Sequence, residues 1–344
     1  MKKYHSKTQC NLFKEYLSFD DVLIKPRFSD IAFDEIDISI TISKNFILKI
    51  PIIASPMDTV CGSDMAIALG KMGGLGIIHR NQTIESQIKE IKKVLKHSRV
   101  GGAVGISGDL KDRTKALAKA GASIICVDYS IGHSKQAIEA AKYIKTKYHI
   151  EVITGNITTQ EAIQDYLKKN VRMFRFGISN SPICLSQKIS GVGMPLFSAI
   201  LNIKPLSLKE KNIFVIADGG IRSNGDIVKA LAAGAHAVML GSMLAGTRES
   251  PGKTINIDEK LYKKYRGMGS LSAMKKGSYN RYNQQNLKSM HPEGIEKLVE
   301  YRGSVQNIVE NIVYGIKSAM LKIGVKNITE LQKKTEFIRV SRYR

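Results

Sequence analysis

Short apolar runs alternate with amphipathic stretches along almost the whole chain. Eight runs stand out, at residues 51–55, 75–79, 102–106, 124–128, 151–155, 173–177, 213–218 and 237–241. They are brief, bounded by Gly or polar residues, and mostly lack period-two alternation. Strands buried on both faces have this pattern. Between them, residues 83–95, 110–120, 134–148, 159–169 and 225–233 repeat apolar positions at helical spacing. Eight strand–helix units in succession predict an α/β chain folded as one (β/α)8 TIM barrel over residues 1–344. Residues 305–324 supply the last barrel helix. Two connections are unusually long. One follows the sixth strand and holds Cys184. The other, about 251–292, follows the eighth strand, is polar, and is expected to be an active-site flap.

In such barrels the chemistry lies at the C-terminal strand ends. Here those ends read Ser55-Pro-Met-Asp58, His79-Arg-Asn81, Gly105-Ile-Ser107, Asp128-Tyr-Ser130, Gly155-Asn156, Gly177, Asp218-Gly-Gly220 and Gly241-Ser242. Polar residues follow strands in any α/β protein, so their presence alone decides little. The Gly-rich closeness of the last three ends says more. Glycines let backbone N–H groups approach a phosphate, and the loops after strands seven and eight are the usual phosphate site of this barrel. Asp218 is placed to accept from ribose hydroxyls. Cys184, taken alone, is more often a buried structural thiol than a nucleophile. A nucleophilic thiol needs partial exposure and a stabilised charge.

Composition narrows the choice. The net charge is +23 over 344 residues, yet the lysines are spread over several segments and aromatics do not interleave with them. Specific nucleic-acid binding is not expected; an anionic small molecule suits the positive field. Four cysteines, Cys10, Cys61, Cys126 and Cys184, form no CxxC pair or zinc spacing, so reduced thiols in a cytosol are expected. His79 and His133 are too isolated to suggest a metal site. Residues 1–14 show no signal-peptide core, and no apolar run approaches the roughly 18 residues of a membrane span. The expectation is a cytoplasmic protein. No G-x-G-x-x-G fingerprint occurs, so a dinucleotide would lie across the barrel mouth.

The motifs Ser55-Pro-Met-Asp-Thr-Val60, Gly73-Gly-Leu-Gly-Ile-Ile-His79, Ile216-Ala-Asp-Gly-Gly-Ile221 and Tyr265-Arg-Gly-Met-Gly-Ser270 together resemble the family of inosine monophosphate (IMP) dehydrogenase and guanosine monophosphate (GMP) reductase. The resemblance runs from Leu17 to the C-terminal helix. Three features resemble the dehydrogenase branch. Arg281-Tyr282 matches a flap pair that activates water. Residues 292–295 match the purine-contacting end of that flap. Leu271 stands where the reductase has a catalytic Glu.

The resemblance implies oxidation of IMP to xanthosine monophosphate with NAD, in guanine nucleotide synthesis, by a homotetramer. Cys184 would attack carbon 2 of the purine, with Ser186 holding the position of a catalytic Thr. Arg281 and Tyr282 would serve hydrolysis. Substrate contacts would come from Ser55, Met57, Asp218, Gly219, Gly220, Gly241 and Ser242. Tyr265, Gly267, Met268, Gly269 and Glu293 would complete them. NAD would lie near Asp128, Ser130, Asn156, Arg175 and Gly177. Potassium would be held by backbone carbonyls of Ser179, Ser181 and Cys184.

Departures cluster in one loop. The family's Gly-Pro-Gly-Ser-Ile-Cys-Thr-Thr is here Ser179-Asn-Ser-Pro-Ile-Cys184-Leu-Ser186. Pro182 replaces a phosphate-touching Ser, and Ser179 and Ser181 replace the glycines of the potassium site. The chain ends at Arg344 without the tail that completes that site, so potassium activation is in question. Tyr129-Ser-Ile131 replaces a pair of small residues. The paired regulatory CBS modules, inserted in the family near 93–99, are absent. Two alternatives therefore stand beside the dehydrogenase: an NADPH-dependent GMP reductase, and a purine-nucleotide-binding paralogue with altered chemistry.

Overall fold

The computed structural model describes residues 14–43, 46–178, 181, 183–210, 212–282 and 291–341. Eight parallel strands close into a barrel. In chain order they are β1 (Ile52–Ala54), β2 (Leu75–Ile78), β3 (Gly101–Val104), β4 (Ile124–Val127), β5 (Glu151–Ile157), β6 (Met173–Phe176), β7 (Phe214–Asp218) and β8 (Ala237–Leu240). Each pairs with its neighbour in sequence, and β8 closes on β1 with Val238 opposite Ile52. The eight runs singled out by hydrophobicity are these eight strands. Their residues are almost all buried, because helices cover the outer face and side chains fill the interior.

The covering helices are α1 (Ser63–Lys71), α2 (Ile84–Leu95), α3 (Leu110–Ala120), α4 (Lys135–Tyr148), α5 (Gln160–Leu167), α6 (Leu196–Lys209), α7 (Asn224–Ala233) and α8 (Val305–Ile323). Local chemistry fixes several of their starts. The hydroxyls of Thr83, Ser134, Thr159, Ser223 and Ser304 each accept a backbone N–H of the first turn. Residues 96–100 alone join α2 to β3. A short strand Val22–Ile24 pairs with Phe337–Arg339 and ties the two ends of the described chain together.

The long connection after β8 is more ordered than its polarity suggests. It holds β9 (Ile255–Ile257) and β10 (Lys260–Arg266), which join β11 (Glu296–Glu300) in an antiparallel sheet. A helical turn Leu271–Lys275 and a 3-10 turn Ser278–Tyr282 follow β10. The described part of this polar connection therefore carries strands and helical turns of its own. The strand Lys-Leu-Tyr-Lys-Lys-Tyr-Arg reads as polar, yet Lys263, Tyr265 and Arg266 are buried. Among the described residues, no helix is long and apolar enough to cross a membrane.

Candidate active site

A cavity of about 550 Å3 opens at the C-terminal ends of the barrel strands. Ser55 and Met57 line it from the β1 end, Asp128 and Ser130 from β4, Asn156 from β5, Gly177 from β6, and Asp218 and Gly219 from β7. The loop after β6 contributes Ser181, Cys184 and Ser186. The segment after β10 contributes Gly267, Met268, Gly269, Arg281, Tyr282 and Glu293. Most of the residues expected from sequence are therefore brought to one wall or another of a single space. Gly220, Gly241, Ser242 and Tyr265 are not part of the lining. Tyr265 is buried behind it, and that burial pushes its phenol up. Ser179 lies outside the described residues, as does Pro182.

The strand-end side is organised around Arg175. This guanidinium is 1 % exposed and stands on β6 inside the barrel. Its Nη2 donates to the Val127 carbonyl at 3.2 Å and to Asp128 Oδ1 at 3.3 Å. Its Nη1 lies 3.6 Å from Asp218 Oδ2. One buried cation thus bridges two carboxylates from β4 and β7. Asn156 Nδ2 donates to the same Asp218 oxygen at 2.9 Å and to the Gly177 carbonyl at 2.7 Å. Burial pushes the Asp218 carboxyl above its ordinary 3.8, against the opposing pull of Arg175 and Asn156. Gly177 has φ +135°, and a Cβ there would sit 2.1 Å from the Asp218 carbonyl. Only Gly lets β6 run this close to β7.

The opposite side is built from loops that meet far from one another in sequence. Cys184 pairs with Gly294 in an isolated antiparallel bridge, and Leu185 N–H donates to the Glu293 carbonyl at 2.7 Å. Cys184 is half-buried. Its Sγ lies 3.4 Å from Ser186 Oγ, and Ser186 Oγ donates to Glu293 Oε2 at 2.5 Å. Thiol, hydroxyl and carboxylate form a continuous chain. The Ser181 carbonyl, expected at a potassium site, already accepts the Cys184 N–H at 3.0 Å. Among the described residues no group of three or more His, Cys, Asp or Glu side chains is placed to hold a metal ion.

Arg281 crosses between the two sides. Its Nη1 pairs with Asp128 Oδ1, and its carbonyl accepts from Ser130 N–H at 3.1 Å and Ser130 Oγ at 2.7 Å. Tyr282 packs so tightly on Gly269 that a Cβ there would lie 2.7 Å from the phenol ring. Burial raises the Tyr282 phenol, and the adjacent Arg281 opposes that shift. Asp128 Oδ2 is buried with no hydrogen-bond partner, although Arg80 Nε approaches to 3.7 Å. Arg80 also lines a neighbouring cavity of about 450 Å3. Its place beside Asp128 was not foreseen; the strand-end triplet His79-Arg-Asn81 was the one signal. A second unforeseen pair is Asp58 with Arg266 (Nε to Oδ1, 3.1 Å), which anchors the end of β10 at the end of β1.

The IMP dehydrogenase / GMP reductase domain model matches residues 16–343. The IMP dehydrogenase of Borreliella burgdorferi is 38% identical over 383 aligned positions, covering 95% of this chain and 95% of that protein. That of Cryptosporidium parvum is 38% identical, covering 94% and 92%. That of Aquifex aeolicus is 32% identical, covering 95% and 94%. Its alignment of 459 positions exceeds the 344 residues of this chain, so that relative carries internal residues with no counterpart here. On a barrel of eight parallel strands, with a match across nearly its whole length, the chain belongs to the IMP dehydrogenase / GMP reductase family of oxidoreductases.

Proposed function

We propose that this chain oxidises IMP to xanthosine monophosphate with NAD, through a covalent bond between substrate and Cys184. The observation that carries the reading is the convergence on one cavity of a half-buried thiol, a half-buried carboxylate at the end of β7, and an Arg–Tyr pair. The names of the relatives support the same substrate. Asp218 is the acceptor for the ribose hydroxyls, oriented by Asn156 and Arg175. The residues also suit NAD: the unpartnered Asp128 Oδ2 and the Ser130 hydroxyl offer polar partners for a carboxamide. Bound NAD would supply the acceptor for a hydride.

The protein's own groups do the rest. The Cys184 thiol passes its proton along Ser186 toward Glu293, and the thiolate adds to carbon 2 of the purine. Carbon 2 then loses its hydrogen with the bonding pair. Hydrolysis comes second. Arg281 and Tyr282 orient a water whose oxygen bonds carbon 2; the carbon–sulfur bond breaks, and the water's proton goes to the departing sulfur and restores the Cys184 thiol. Arg281 uses the same Asp128 and Ser130 assigned to NAD. Flap and dinucleotide therefore exclude each other, which separates the two half-reactions in time. Potassium is given no step.

Incubation of the purified protein with IMP and NAD, followed by NADH absorbance, tests the reading. NADPH oxidation with GMP and no NADH from IMP would replace it with the reductase. Nucleotide binding without either reaction would replace it with a binding role. We also propose a homotetramer, on the family resemblance alone; a monomeric mass by light scattering at micromolar concentration would refute it.

A further inference from the structure

The side chain of Lys263 points away from the cavity into the turn that follows β8. It is 2 % exposed. Its Nζ donates to the carbonyls of Thr247 at 3.0 Å and Arg248 at 3.3 Å, and to that of Ser250. All three partners are main-chain oxygens of one turn. An ammonium carries three N–H donors and no acceptor, so three converging carbonyls match it one to one. Three carbonyl oxygens pointed at a common centre repel each other unless a cation sits among them. The turn itself is built to face them inward. Thr247 Oγ1 donates to the Leu244 carbonyl at 2.9 Å, and Ser250 Oγ donates to the Thr247 carbonyl at 2.8 Å. Arg248 N–H donates to the Gly303 carbonyl at 2.7 Å, and Glu249 accepts the Val305 N–H at the start of α8 at 2.8 Å.

We propose that this turn is a monovalent-cation site whose occupant is the chain's own Lys263. The ligand class is a compact monovalent cation with no directional demand beyond three oxygens: ammonium, potassium or a primary alkylammonium. The tether has a consequence for the cavity. Lys263 lies on β10, which runs directly into Gly267, Met268 and Gly269 of the lining. The turn it fills follows β8. The held cation therefore fixes one wall of the cavity to the barrel without any added ion.

Removing the tether should leave an empty cage. In Lys263→Ala the missing atoms correspond to n-propylammonium. The variant should melt below the wild type, and n-propylammonium, ammonium or potassium chloride should recover at least half of the lost melting temperature. Tetramethylammonium, too large and without N–H donors, should not. The same salts should move the wild type little, since its site is filled. Lys263→Met fills the channel without a charge; it should melt low and ignore all four salts. A folded Lys263→Ala that responds to no cation beyond the wild-type response overturns the proposal, and so does equal rescue by tetramethylammonium. If Lys263→Ala does not fold, amine acylation of the native wild type decides. Lys260 and Lys264 should react while Lys263 stays unmodified until unfolding. Acylation of Lys263 in the folded protein overturns the proposal.

Discussion

On one side of the cavity, Asp218, Asn156 and Arg175 stand on strands of the barrel. On the other, Cys184, Ser186, Glu293 and Arg281 stand on connections. The first group is placed by the parallel hydrogen-bond ladder and by a buried Arg175 shared between two carboxylates. Removing that guanidinium would take a cation from the buried Asp128 and from the half-buried Asp218 at once, so this side has little freedom to rearrange. The second group is placed by contacts between loops, such as Cys184 with Gly294 and Arg281 with Ser130. Few backbone ladders hold it, and such regions open at low free-energy cost. Rigid groups suit recognition of the nucleotide. Loop-borne groups suit a reaction in which one partner must leave before the next arrives.

Substitutions on the two sides should therefore fail differently. The largest effect belongs to the loop side. Cys184→Ala should abolish turnover and leave IMP affinity within a few-fold of wild type, because the proposed mechanism gives the reaction to the thiol and the binding to Asp218. Steady-state rates together with titration calorimetry check this; retained turnover would sink the covalent route.

Next comes Arg281→Ala. Hydrolysis should slow by on the order of 10²–10⁴, the usual contribution of a positioned acid–base group. A burst of NADH near one per site should survive, and a purine adduct on Cys184 should accumulate as added mass. The melting temperature should stay near wild type. Equal loss of burst and steady state would remove Arg281 from the hydrolysis step.

The strand side should show a smaller, pure binding loss. Asp218→Ala gives up a charge-assisted hydrogen bond of about 2–3 kcal/mol, so IMP should bind tens- to a hundred-fold more weakly. Unchanged affinity by calorimetry would contradict its assignment to the ribose.

The smallest effect is pH-dependent. Burial raises the Asp218 carboxyl above 3.8, and ribose hydroxyls donate to its ionised form. IMP affinity should fall as pH drops through that raised value, and the drop should be missing in Asp218→Asn. Stability runs the other way. An acid with a raised folded pKa favours the fold when protonated, so that contribution is present at low pH and lost as pH rises through the folded value. Equal pH dependence of IMP binding in both proteins would assign the titration to another group.

The barrel was legible because each strand is a short run buried on both faces, and such runs need no partner to be recognised. The long connection after β8 was not. Its strand Lys260–Arg266 buries one Lys and one Arg, and a charged residue signals exposure until its partners are known. Lys263 finds three carbonyls, and Arg266 finds Asp58, which stands 208 residues away. The candidate site residues were legible as types at strand ends and as family motifs. Their connections were not, since Arg175 could have been assigned to Asp128, to Asp218 or to neither.

What the sequence determined by itself is the alternation of strand and helix, the polar residues at each strand end, and the four short motifs that mark the family. These are local properties, written in hydrophobic period and short motifs. Only the tertiary structure decided that Arg175 joins two carboxylates, that Arg281 rests on Asp128 across 153 residues, and that Ser186 links Cys184 to Glu293. Barrel closure brings those distant groups within hydrogen-bond reach. A pairing whose energy depends on distance and burial has no trace in the order of residues until the chain has closed.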